Sequence, residues 1–210
     1  MALTRLARLA APAGFVAAVL AVAALILFIV VVGSGTISAA AGSAAFYAPT
    51  LASFGSIIAL LVALVALFVR QSGELGQFGI VAFLVALVGT VCGAGAYWSY
   101  VFVLPYLAEQ APNLADQSSG SVLVGFVVSF LIMGLGWLLF AAATLRTHVF
   151  PRWTVMLLMI GSVVAIVPIP ARTLLLSVAV ACLGYFASRH ATTTELAGLT
   201  DSRPDNLVTG

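Results

Sequence analysis

The sequence predicts an all-α fold, a polytopic transmembrane helical bundle of about six spans with both termini in the cytoplasm. Composition is the first observation behind this reading. Of 210 residues, 63% are hydrophobic and only 7% charged, and the mean hydropathy is +1.24. A soluble domain carries roughly 25% charged residues to solvate its surface, whereas lipid tails solvate apolar side chains directly. The second observation is the spacing of the charges, which cut the chain into apolar runs. The third is an unequal distribution of arginine between the connections.

No charge lies between Arg8 and Arg70, an interval too long for one span of about 20 residues. Small and turn-forming residues from Gly33 to Thr50 divide it into spans at 14–32 and 51–69. A third apolar run follows Gln77 and occupies 78–103, and a fourth occupies 121–145. Beyond the Arg146–Arg152 connection come runs at 153–167 and 169–187, separated around Pro168 and Pro170. Proline lacks a backbone donor and restricts the residue before it, so a turn is expected there. The fifth run would rise only about 22 Å against a hydrocarbon core of about 30 Å, which leaves open a shallow re-entrant hairpin. Residues 1–187 thus form the bundle, and 188–210, polar and containing Pro204, are predicted to be a disordered cytoplasmic tail.

The first span follows Arg5 and Arg8, and Ile37-Ser38-Ala39-Ala40-Ala41 could mimic a signal-peptidase site. A signal peptide has an apolar region of about 7 to 15 residues; this one is longer, so an uncleaved anchor is expected. Orientation follows from the positive-inside rule. Arg5, Arg8, Arg70, Arg146, Arg152, Arg189 and Arg203 all fall on one side of a six-span arrangement, and only Arg172 on the other. Seven against one predicts N-in and C-in. The arginine-only basic set and the abundant alanine point to a high-GC bacterial genome, and so to a cell membrane.

Candidate chemistry is sparse. No Asp, Glu, Lys or His sits in the middle of a span, which counts against a proton-coupled carrier, because such relays need buried ionisable groups. Arg172 is expected to snorkel to the outer interface. Cys92 and Cys182 lie in apolar stretches and read as small hydrophobes. His148 and His190 fall at the cytoplasmic boundary rather than on facing helices, so no haem or metal ligation is expected, and no cofactor. Glu109 and Asp116 share the loop 104–120 and read as solvated charges. Tyr97, Trp98, Tyr100 and Tyr106 lie beside it as an interfacial belt would.

Two groups of residues stand out. Arg146, His148 and Arg152 form the densest polar cluster and could contact an anionic lipid headgroup; the positive-inside rule alone also accounts for their place. Gly89 and Gly93, with Gly134 and Gly136 on the next span, are expected to let the third and fourth helices pack closely, since small residues admit near backbone approach in lipid.

The segment Gly134-Leu-Gly-Trp-Leu-Leu-Phe-Ala-Ala-Ala-Thr-Leu-Arg146, continuing through Phe150-Pro-Arg-Trp153 to Gly161, resembles a family of small, uncharacterised multi-pass membrane proteins of bacteria and archaea, a domain of unknown function. In these a helix ends in arginine, a short turn carries Pro-Arg or Pro-Arg-Trp, and the next helix ends near glycine. The resemblance implies a multi-pass helical fold; it brings no activity and no functional residue.

The first functional expectation is a non-enzymatic bundle that works by packing with membrane lipids, with a second copy of itself or with another membrane protein. The second is a transporter or permeation protein for a small apolar or amphipathic substrate, with a midplane cavity lined by Thr90, Ser129, Ser162 or Ser177. An enzyme using the Arg146–Arg152 turn comes third. The net charge of +2 is too small for a nucleic-acid surface.

Overall fold

The computed structural model describes residues 2–33, 36–116, 120–147, 149–167, 169 and 171–201, and every regular element among them is helical. Six longer helices carry the fold: α1 (Ala10–Val32), α2 (Tyr47–Gln71), α3 (Gly76–Gln110), α4 (Ser121–Thr147), α5 (Arg152–Ile166) and α6 (Arg172–Asp201). Short helical turns at Ala2–Ala7, Ile37–Ala41, Ala44–Phe46 and Pro112–Asp116 lie between or before them. Four segments are long and apolar enough to cross a membrane, Arg5–Val32, Ala44–Gln71, Gly76–Gln110 and Leu123–Thr147. Arg152–Ile166 and Arg172–Ser188 are apolar but shorter.

The helices close into a ring. Each packs against its neighbour in sequence, and α6 returns to pack along α1. Inside the ring lie Leu60, Leu64 and Leu67 of α2, Phe130, Trp137 and Phe140 of α4, Leu158 of α5 and Leu176 of α6, all fully buried. Outside it, Phe15, Ile26 and Val30 of α1, Val81 and Val88 of α3, and Met156 and Ile160 of α5 are exposed. In water such continuous apolar surface would drive association; in a bilayer it is the face that lipid solvates. The chain is therefore a helical, multi-pass membrane protein.

Close crossings occur where glycine removes a side chain. A Cβ on Gly89 would lie 2.5 Å from the backbone of Met133, and one on Gly136 would lie 2.5 Å from Ala86, so α3 and α4 meet backbone to backbone. Gly93 faces the sulfur of Met133 on the same seam. Gly134 faces a different helix, abutting Ile166 and the Ser162 carbonyl of α5. Three glycines outside the predicted seam also meet neighbouring backbone, at 3.0, 2.6 and 2.8 Å from a Cβ: Gly14 against Ala181, Gly184 against Ala10 and Ala11, and Gly161 against Leu176. They join α1 to α6 and α5 to α6.

Several boundaries differ from the sequence reading. The third helix does not end near Val103 but runs on through Pro105 to Gln110. A proline deletes only one intrahelical hydrogen bond, and the extra turns are held because Tyr100, Leu104 and Ala108 pack on a small separate core of Ala40, Ala41 and Phe46. Those three residues belong to the first connection, which folds over this end of the bundle. Gly33 takes φ +49 as it closes α1, its N–H bonded to the Ile29 carbonyl, a backbone conformation that favours glycine. The last helix continues past Ala187 to Asp201, with no proline before Pro204 to stop it. Pro168, Pro170 and the tail from Ser202 lie outside the described residues.

Candidate functional site: a recess beneath Arg172

At the end of the bundle carrying the first, third and fifth connections, the helices splay around a recess of about 350 Å³. Its wall includes Ala24 and Phe28 from α1, Thr50 and Ser53 from α2, Tyr97 and Tyr100 from α3, Phe126 and Val127 from α4, and Arg172 from α6. Helical spacing places these groups: Tyr97 and Tyr100 are three apart on α3, and Phe126 and Phe130 four apart on α4, so each pair shares a face. The rings form one connected cluster, with centroids 5.7 Å apart for Tyr97–Phe130, 5.4 Å for Tyr100–Phe126 and 4.8 Å for Phe126–Phe130.

Arg172 does not snorkel outward. As the first residue of α6 it turns onto this cluster, its guanidinium carbon 3.9 Å from the Phe130 centroid, 4.5 Å from Phe126 and 5.9 Å from Tyr97. Ring faces attract a cation, by about 2 kcal/mol or more where water is excluded. A ring face gives an N–H group only a weak contact, and Nε is buried without a hydrogen-bond partner among the described residues. Among the described residues no acidic side chain lines the recess. Asp116, on the short helix Pro112–Asp116, is instead held by Ser38, whose backbone N–H and hydroxyl donate to its two carboxylate oxygens at 2.8 and 2.6 Å. Those bonds hold the Asp116 carboxyl below its ordinary pKa. Glu109 is exposed on the last turn of α3, so the two acidic residues of this loop have separate surroundings.

The four hydroxyls named for a midplane cavity do not line this one. Thr90 donates to the Ala86 carbonyl at 2.6 Å and accepts from Trp137 Nε1 at 3.0 Å. Ser129 and Ser162 donate to carbonyls in their own helices. Ser177 lies 3.5 Å from Ser56, which donates to Ala17 of α1 at 2.9 Å. Each is occupied by helix packing, because a hydroxyl surrounded by apolar neighbours must find the nearest acceptor.

The arginines of the fourth connection sit at the opposite end. Arg146 is exposed with its guanidinium 4.7 Å from the Phe78 centroid, and Arg152 is exposed at the start of α5. His148 and the side chain of His190 lie outside the described residues. Cys92 and Cys182 are free thiols on α3 and α6. Among the described residues no three His, Cys, Asp or Glu side chains gather at metal-binding distance.

Sequence reasoning missed the recess by treating Arg172 alone. The legible signal was its position: it is the one arginine at an end where Tyr97, Tyr100, Phe126 and Phe130 repeat at helical spacing. Only Trp98 and Tyr106 of the expected belt are exposed, while Tyr97 is buried and Tyr100 half-buried. The fold and site define a helical membrane protein with a ligand-sized recess at one end. No protein-family model matches the chain, and comparison with curated proteins and with solved structures gives no match, so the resemblance around Gly134–Gly161 carries no family assignment.

Proposed function

We propose that the protein is a six-span cell-membrane bundle with both termini cytoplasmic, and that it works without catalysis by holding a lipid or small amphipathic molecule in the recess at its outer end. The observation that carries this reading is the recess itself. Its volume of about 350 Å³ falls within the range of small-molecule sites, about 300 to 1,000 Å³, and its wall is mainly apolar with a few convergent polar groups. The closed ring supports counting α5 and α6 with the other spans, and the arginine asymmetry supports the orientation. Permeation is the second reading. It is less favoured because Thr90, Ser162 and Ser177, deeper in the bundle, are buried and engaged in hydrogen bonds.

The test is to plug the recess. Full-length protein is purified in a neutral maltoside, and its co-purifying amphiphiles are quantified by mass spectrometry. Ala24→Phe and Ser53→Leu, from different helices, are each expected to strip most of the bound material while the protein remains monodisperse. Unchanged amphiphile content in both folded variants would rule the reading out.

A further inference from the structure

We infer that the occupant of the recess is an anionic amphiphile, its carboxylate or phosphate head paired with Arg172 and its apolar chain leaving through the opening toward lipid. This rests on the preceding reading and names the ligand class. The argument is one of charge and donor complementarity. Among the described residues, Arg172 brings a permanent positive charge to a site with no acidic side chain in its wall, and its buried Nε has no partner. Phe126 and Phe130 lie beside the guanidinium at 4.5 and 3.9 Å but carry no lone pairs, so its N–H groups are its unmet capacity.

The neighbouring hydroxyls sort in the same sense. Thr50 and Ser53 spend their protons on the Phe46 and Pro49 carbonyls, each at 2.8 Å. The phenol hydroxyls of Tyr97 and Tyr100 have no hydrogen-bond partner among the described residues and are the remaining donors in the wall. A guanidinium edge and two phenol donors favour an acceptor-rich anion and disfavour a cation. The recess holds a headgroup and a short stretch of chain; Leu123 and Val127, both lining it and exposed on the outer surface of α4, offer an apolar path for the rest.

Spin-labelled stearic acid and its methyl ester, titrated into the full chain in phosphatidylcholine nanodiscs at neutral pH, test this directly. The wild type is expected to prefer the acid by about tenfold or more, as charge-assisted bonds would give. Arg172→Gln should bind both alike, at the affinity the wild type has for the ester, while Arg172→Lys keeps most of the preference. Retained ester binding shows that the Gln variant is folded. Equal binding of acid and ester by the wild type, or an undiminished preference in Arg172→Gln, overturns the inference while leaving the amphiphile site in place. Binding of neither probe removes both readings. Spin-labelled phosphatidylglycerol against phosphatidylcholine separates the sources: the same Arg172-dependent preference there supports a membrane lipid, and its restriction to the acid supports a free carboxylate amphiphile.

Discussion

Thr90 and Trp137 show how a polar pair is kept inside an apolar bundle. The indole N–H of the fully buried Trp137 donates to the Thr90 hydroxyl, whose own proton goes to the Ala86 carbonyl. Thr90→Val keeps the shape and strands the indole donor, so it is expected to destabilise the protein by about 1 to 3 kcal/mol, the cost of an unmet buried donor. Chemical unfolding in mixed micelles measures it. Asp116 gives a pH test of opposite location, at the exposed rim. Its carboxyl is held below its ordinary pKa by the Ser38 hydroxyl and N–H. Its contribution is therefore complete above the unfolded value, about 3.9, and is lost as pH falls through the lower folded value. Wild type should be more stable than Asp116→Asn at neutral pH by an amount that vanishes in strong acid, as thermal melts across pH would show. Arg172 was legible as a charge near a membrane boundary; that it turns inward was not, because the rings it covers come from α3 and α4 and lie at least 42 positions earlier in the sequence.

Glycines were legible as candidates at the level of helices, yet which helix each one meets was not. Gly89 and Gly136 lie on the seam between α3 and α4, whereas Gly134, two residues from Gly136, meets α5. A step of two in a helix turns the side chain by more than half a revolution, so neighbours in sequence serve different partners. Gly95, by contrast, has nothing within 4 Å of a Cβ. Gly89→Ala should therefore destabilise the fold by about 1 to 3 kcal/mol through overpacking against backbone. Gly95→Ala should be neutral or stabilise by up to about 1 kcal/mol through helix propensity. Unfolding of the two variants under the same conditions provides the comparison, and equal effects would show that the seam is not that close. The extension of α3 past Pro105 was hidden for a related reason: local sequence favours a stop, and the packing that overrides it is supplied by Phe46, far away along the chain.

For the molecule as a whole, composition and charge spacing exposed the helical membrane class, since both depend on solvent rather than on any contact. The recess was invisible to them, because it is a gap between helices and no single segment encodes it. Orientation is open to direct test. In a Cys92→Ser, Cys182→Ser background, cysteines at the exposed positions Gly42 and Asn113 should label with an impermeant maleimide from outside intact cells, while Ser72 should require permeabilisation; the reverse pattern would invert the topology. The ring has a further consequence for how the protein is made. Its seam is sealed by the first and last long helices, with Gly184 lodged against Ala10 and Gly14 against Ala181. A ribosome delivers α1 long before α6, so Ala10 and Gly14 must wait without Gly184 and Ala181 through the synthesis of everything between. Quality control that senses unpaired membrane helices would find its target there, and a chain truncated before α6 would be degraded with α1 as the exposed signal.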